Sequence, residues 1–182
     1  MKRPAVPIAV IAVAAALFGL LVYGIAAGGN DTTLDDAVKR GERPVAPGAD
    51  LERRKVDGTG SLKLADLRGE IVVLNFWGSW CEPCKDEAPV LKRIHERLAD
   101  AGKGTVLGAT YNDPTADTLA FERENDIDYP SVQDVSTDLY DEFGGTGVPE
   151  TFVIDPQGRI TAISRGQVSE EFLDTALRKL GA

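Results

Sequence analysis

Apolar and polar positions follow three different patterns along this chain, and each predicts a different kind of element. From Ala5 to Ala27 (AVPIAVIAVAAALFGLLVYGIAA) 23 consecutive positions carry no charge. A helix of that length reaches about 35 Å, enough to cross a hydrocarbon core with some tilt. Lys2 and Arg3 precede it, and Asp31, Asp35 and Asp36 follow. The positive-inside bias then leaves residues 1–4 in the cytoplasm, makes 5–27 a transmembrane anchor and puts everything after Gly28 outside. A cleaved signal peptide is the competing reading. Its apolar region is normally shorter, roughly 7–15 residues, and Ala26-Ala27-Gly28-Gly29 matches a cleavage site only loosely. Length therefore favours a retained anchor. A lipoprotein is excluded, because no cysteine precedes Cys81.

Residues 28–50 mix Gly, Pro, Ala and charges without an apolar period and read as a linker. From Leu51 to Ala182 the pattern is that of a folded domain. Glu52–Val56 and Ser61–Leu64 flank Asp57-Gly58-Thr59-Gly60, a hairpin signature. Ala65–Arg68 predicts one helical turn stopped by Gly69. Ile71–Phe76 (IVVLNF) is a continuous branched apolar run, as in a strand buried on both faces. Ala88, Leu91, Ile94 and Leu98 recur at helical steps, predicting a helix from about Pro83 to Asp100 that Gly102 and Gly104 end. Thr105–Thr110 is a second buried strand. Asp113-Pro114 predicts a helix start, with aspartate as N-cap and proline at the first helical position; the helix fades by Asn125. A short strand over Tyr129–Gln133, a helical piece around Leu139–Phe143 and a hairpin of Thr151–Ile154 with Ile160–Ser164 follow. Ser169 caps a last helix whose Phe172, Leu173, Ala176, Leu177 and Leu180 face inward. The predicted class is α/β: a mixed central sheet flanked by helices, preceded by an N-terminal β-hairpin and an N-terminal transmembrane helix.

Composition narrows the function. The chain carries a net charge of −9 with a pI near 4.7. Removing the +2 of Lys2 and Arg3 leaves −11 on the rest. That argues against nucleic-acid binding, which needs a basic stripe. One histidine (His95) and two cysteines (Cys81, Cys84) exclude most metal constellations and any multi-disulfide scaffold. No cofactor and no metal are expected.

Trp80-Cys81-Glu82-Pro83-Cys84 falls where a buried strand turns into a helix. A thiolate is the nucleophile of disulfide exchange, and a helix N-terminus favours negative charge. Cys81 is placed for that effect, with Glu82 opposing part of it. Cys84 lies one turn on, close enough to close a small disulfide. A purely structural disulfide is the bland alternative, but so tight a loop would restrict the unfolded chain little. Half a zinc site would need two more ligands, and His95 stands alone on its helix. CxxC at a strand–helix junction is a redox arrangement.

Asn75-Phe76-Trp77-Gly78-Ser79-Trp80-Cys81-Glu82-Pro83-Cys84-Lys85-Asp86-Glu87-Ala88-Pro89 resembles the thioredoxin active-site segment. With the anchor and Gly147-Val148-Pro149-Glu150-Thr151-Phe152-Val153-Ile154-Asp155, the chain is most similar to the TlpA/ResA/CcmG-like family. These are membrane-tethered extracytoplasmic thioredoxins linked to cytochrome c maturation. The resemblance covers about residues 60–166 and implies a thioredoxin-like fold and thiol–disulfide oxidoreductase activity. It implies Cys81 as the attacking and Cys84 as the resolving member of a redox-active disulfide. It also implies Pro149 as a cis-proline facing that disulfide, with the backbone of Val148 pairing with an extended substrate. Trp80 is expected to pack at the rim and cover the disulfide, and Trp77 to fill the core. His95 reads as a surface side chain.

One departure bears on mechanism. Typical cytoplasmic thioredoxins carry a buried aspartate in the strand before the site, and this chain has Asn75. A base must then come from elsewhere: Glu150 is the first candidate and Asp113 the second. A solvated strand-end charge is the alternative for Glu150, and the N-cap for Asp113. The leading function is a reductant of disulfides in apo-cytochrome c or similar exported proteins, recharged by an integral membrane electron donor. It would sit in the cell membrane as a single-pass protein with its redox domain on the extracytoplasmic side. Alternatives are a disulfide-forming oxidant, and a copper chaperone for a respiratory oxidase using Cys81 and Cys84 as soft ligands. The latter lacks a Met- or His-rich segment. A peroxiredoxin, related in fold, usually has Thr or Ser three residues before its cysteine, where this chain has Gly78.

Overall fold

A computed structural model describes residues 10, 11, 13–20 and 33–182 of the chain. They fall in two separate units, Met1–Thr32 and Thr33–Ala182. In the first, residues 10, 11 and 13–20 are helical and expose Val10, Val13, Leu17 and Phe18. Among the described residues no helix is long and apolar enough to cross a membrane. Most of the anchor expected over residues 5–27 lies outside the described residues.

The second unit is built on one seven-stranded sheet, with strands β1 (Arg53–Lys55), β2 (Ser61–Leu62), β3 (Ile71–Trp77), β4 (Gly104–Tyr111), β5 (Ser131–Asp134), β6 (Glu150–Ile154) and β7 (Ile160–Arg165). Their order is β2-β1-β5-β4-β3-β6-β7. β3, β4 and β5 run parallel, and β1, β6 and β7 join antiparallel to their neighbours. Every residue of β3 is buried, as an uninterrupted apolar run requires of a central strand. β4 crosses β3 so closely at Gly104 that a Cβ there would lie 1.9 Å from the carbonyl oxygen of Ile71. Gly104 therefore begins the strand rather than ending the preceding helix.

Alternation along the strands sorts the core into two layers. On one face Ile71, Val73, Val106 and Val153 pack under α2 (Glu82–Asp100) and α5 (Glu170–Arg178), against Leu91, Ile94, Leu98, Leu173 and Leu177. Each such side chain removed from water stabilises the fold by about 1.5–3 kcal/mol. On the other face Val72, Leu74, Phe76, Phe152 and Ile154 pack against α4 (Asp138–Glu142) and the segment that precedes β1. That segment corrects the expected linker. α1 (Thr33–Lys39) packs on β7, Ala37 and Ala46 are buried, and Val45 bridges to Arg159. The folded unit thus starts near Thr33 rather than Leu51. Leu34, Ala37 and Val38 fall at helical spacing but over a single turn, too short a run to announce an element, and Leu34, Val38, Ala46 and Ala49 pack against this face of the sheet.

Two further readings change. α3 spans Thr115–Glu124 with Pro114 as its N-cap, so Asp113 lies outside it. His95 is half-buried: its Nδ1 accepts from the Val106 N–H at 3.4 Å and lies 3.2 Å from Thr105 Oγ1, tying α2 to β4.

Candidate active site

β3 ends at Trp77, and the chain turns through Gly78-Ser79-Trp80 into α2, whose N-cap is Cys81. The Cys81 N–H closes this turn on the Gly78 carbonyl at 3.0 Å. The sulfurs of Cys81 and Cys84 are joined, with Cα atoms 5.3 Å apart. The Cys84 N–H donates to Cys81 Sγ at 3.2 Å, and none to the sulfur of Cys84 is present among the described residues. Both cysteines are buried, at 5% and 2% exposure, so access alone separates them little. What distinguishes Cys81 is its position at the helix amino end, where backbone N–H groups stabilise a thiolate.

The turn is held from outside. Asp113 accepts from the Ser79 N–H at 2.8 Å, the Ser79 hydroxyl at 2.7 Å and the Thr118 hydroxyl at 3.0 Å. Asp113 therefore caps the active-site turn rather than α3. Trp80 is 58% exposed at the rim, its ring centroid 6.4 Å from that of Tyr111. Gly78 makes room for it: a Cβ at residue 78 would meet the indole nitrogen at 2.8 Å. The Thr or Ser of a peroxiredoxin site would collide there with Trp80. Trp77 is buried beside both cysteines and Phe121.

Val148 packs against this cluster, and the Val148–Pro149 peptide is cis. Neither the N–H nor the carbonyl of Val148 makes a hydrogen bond among the described residues. A backbone donor and acceptor thus stand free next to the disulfide.

Glu150 is neither a solvated charge nor an unpaired base. It is 1% exposed, pairs across the sheet from Phe76, and shares the face of Phe152. One carboxylate oxygen accepts from the Thr146 N–H at 3.0 Å and from its hydroxyl, and the other from Arg165 at 2.6 Å. Alternation turns it away from the α2 face and towards an ion pair, which satisfies the charge and leaves it no role as a free proton acceptor.

The group that sequence reasoning passed over is Glu87. It is fully buried on the same face of α2 as Cys84, one turn beyond it. Its oxygens accept from Asn75 Nδ2 and from the Val168 N–H, each at 2.8 Å. Burial pushes its pKa up to about 7, against the two hydrogen bonds that lower it. Asn75 also donates to Thr151 at 3.1 Å. The amide that replaces a buried aspartate in β3 therefore positions a buried acid on the facing helix. The signal for it lay in the motif: a glutamate at the Ala88/Leu91 face of an otherwise apolar stripe.

A CxxC disulfide at the amino end of a helix, on a mixed sheet and facing a loop with free backbone groups, defines a thioredoxin-like thiol–disulfide oxidoreductase. The chain belongs to the AhpC/TSA family, whose profile matches residues 45–163. It is similar to the thiol–disulfide oxidoreductase ResA of Bacillus subtilis, 28% identical over 78% of this chain and 79% of the relative. ResA of Bacillus thuringiensis is 30% identical over 72% of each chain. Among solved structures, a DsbF homologue from Corynebacterium diphtheriae superposes with a TM-score of 0.67 at 35% identity, covering 77% of this chain and 88% of that one.

Proposed function

We propose that this oxidoreductase is a membrane-tethered, extracytoplasmic reductant of disulfides in exported proteins, the haem-attachment site of apo-cytochrome c among them. An integral membrane electron donor recharges it. In the reduced protein the Cys81 thiolate attacks a substrate disulfide, forming a mixed disulfide and releasing one substrate thiolate. Cys84 then loses its proton and attacks Cys81 Sγ, releasing the second thiolate and closing the Cys81–Cys84 disulfide. Two electrons pass to the substrate. Glu87, placed one turn from Cys84, takes the proton in place of the Glu150 expected from sequence.

Glu87 is the observation that carries the direction of flow. A buried carboxyl with a pKa of about 7, one helical turn beyond Cys84, disfavours a neighbouring thiolate and so makes the dithiol a stronger reductant. The similarity to ResA supports the same reading. Equilibrium against glutathione or dithiothreitol tests it. The expected potential lies nearer to about −270 mV than to about −120 mV, the reducing and oxidising ends of the thioredoxin-fold range. A value near the upper figure favours a second reading, an oxidant of exported proteins.

A further inference from the structure

Glu87 lies on the α2 side of the sheet, and Glu150 lies on the opposite face with Phe76 and Phe152. Glu150 is the centre of a separate polar network. It gathers both donors of Thr146, so the loop Thr146-Gly147-Val148-Pro149 is closed on its own carboxylate. Arg165, on edge strand β7, donates to Glu150 at 2.6 Å and to Asp35 of α1 at 2.7 Å, and reaches the Phe143 carbonyl at 3.3 Å. Its guanidinium lies 5.0 Å from the centre of the Phe152 ring. Burial works to lower the pKa of Arg165, and the bonds and charges of Asp35 and Glu150 more than offset that. The Gly166 N–H donates to the Pro149 carbonyl at 2.9 Å. The loop is therefore pinned at Thr146 and at Pro149, while Val148 between them keeps its N–H and carbonyl free beside the cysteines.

We propose that Glu150, braced by Arg165 and Asp35, is a positioning residue: it holds the Thr146–Pro149 loop as a docking edge for an extended polypeptide and sets affinity for protein disulfides without entering the exchange chemistry. This rests on the reading that the enzyme acts on protein disulfides. The ligand class is an extended peptide strand, recognised by main-chain hydrogen bonds at Val148. Through Asp35 the same edge is tied to α1, the first helix of the folded unit.

The test compares two oxidised substrates on the full-length reduced protein: a peptide with a single Cys-x-x-Cys disulfide, and a small aromatic disulfide that has no backbone to pair. Glu150→Gln keeps the shape and removes the charge-assisted bond to Arg165. It is expected to raise KM for the peptide by about tenfold, the scale of one such bond lost. The kcat, the rate with the small disulfide and the equilibrium potential should be unchanged. Asp35→Asn, which loosens only the outer ion pair, should shift KM for the peptide in the same direction by less. If Glu150→Gln does not fold, Thr146→Val, which deletes only the hydroxyl donor, carries the test with the same expected split. An equal loss on both substrates, or a moved potential, overturns the proposal in favour of a direct electrostatic effect on the sulfurs. An unchanged KM overturns it outright. If the unmodified protein shows a KM for the peptide no lower than that for the small disulfide, docking itself fails, a comparison that the faster intrinsic exchange of an aromatic disulfide leaves untouched. That outcome removes the protein-disulfide reading whatever the variants do.

Discussion

Replacing Glu87 with glutamine should change how stability depends on pH, in a calculable direction. The carboxyl is fully buried, and burial lifts its pKa from an ordinary 4.5 to about 7. In the unfolded chain the same group ionises near 4.5. Between these values folding takes up a proton. The stabilisation is fully present below pH 4.5 and is lost as pH rises through 7. A difference of about 2.5 pKa units corresponds to about 3 kcal/mol between pH 4 and pH 8. That is a large part of the 5–15 kcal/mol typical of a domain. Glutamine is nearly isosteric, and the site can accept it. Its oxygen takes the Val168 N–H, while a turned Asn75 amide presents its oxygen to the new NH2 and the Thr151 hydroxyl. The assay is urea unfolding of the oxidised protein at pH 5, 6, 7 and 8. The unmodified chain should lose about 2.5 kcal/mol more than Glu87→Gln across that range, part of the full effect lying below pH 5. Parallel curves would refute the argument, since they would mean Glu87 ionises no later in the folded protein than in the unfolded one.

Cys84→Ser should accumulate mixed disulfides between Cys81 and substrate, visible on non-reducing gels, because no resolving thiol remains; trapping only in Cys81→Ser would invert the roles. Asp113→Ala removes the acceptor of three hydrogen bonds at the active-site turn and should lower stability by about 1–3 kcal/mol, read by thermal unfolding. An unchanged midpoint would show that the turn holds itself. Gly104→Ala places a methyl group on the Ile71 backbone, where neither strand has space to yield, and should prevent soluble expression of the folded unit. On the membrane side, the chain should stay with membranes after a carbonate wash. A soluble mature form starting near Asn30 would show cleavage instead.

Much of the sheet was legible because its signals are local. IVVLNF at Ile71–Phe76 is too apolar to lie anywhere but the centre, the period of Ala88, Leu91, Ile94 and Leu98 dictates which face of α2 turns inward, and Asp57–Gly60 and Asp155–Gly158 carry the turn chemistry of their hairpins. The redox pair was legible for the same reason: CxxC at a strand–helix junction combines a local spacing with a local dipole. The role of each buried charge was decided only in three dimensions. Whether a glutamate is a base, a brace or a solvated charge depends on what lies across from it, and those partners are distant in sequence. Glu87 meets Asn75 and Val168, Glu150 meets Arg165 and through it Asp35, and Asp113 meets Ser79. Adjacent residues of one strand part company in the same way. Thr151 turns to Asn75 and the α2 face, while Glu150 turns to Arg165, because successive side chains point to opposite faces and only the sheet order says what each face meets. The start of the folded unit escaped sequence reading for a related reason. Residues Thr33 to Asp50 carry only one turn of helical spacing, at Leu34, Ala37 and Val38, and their order comes from the face of the sheet that they cover.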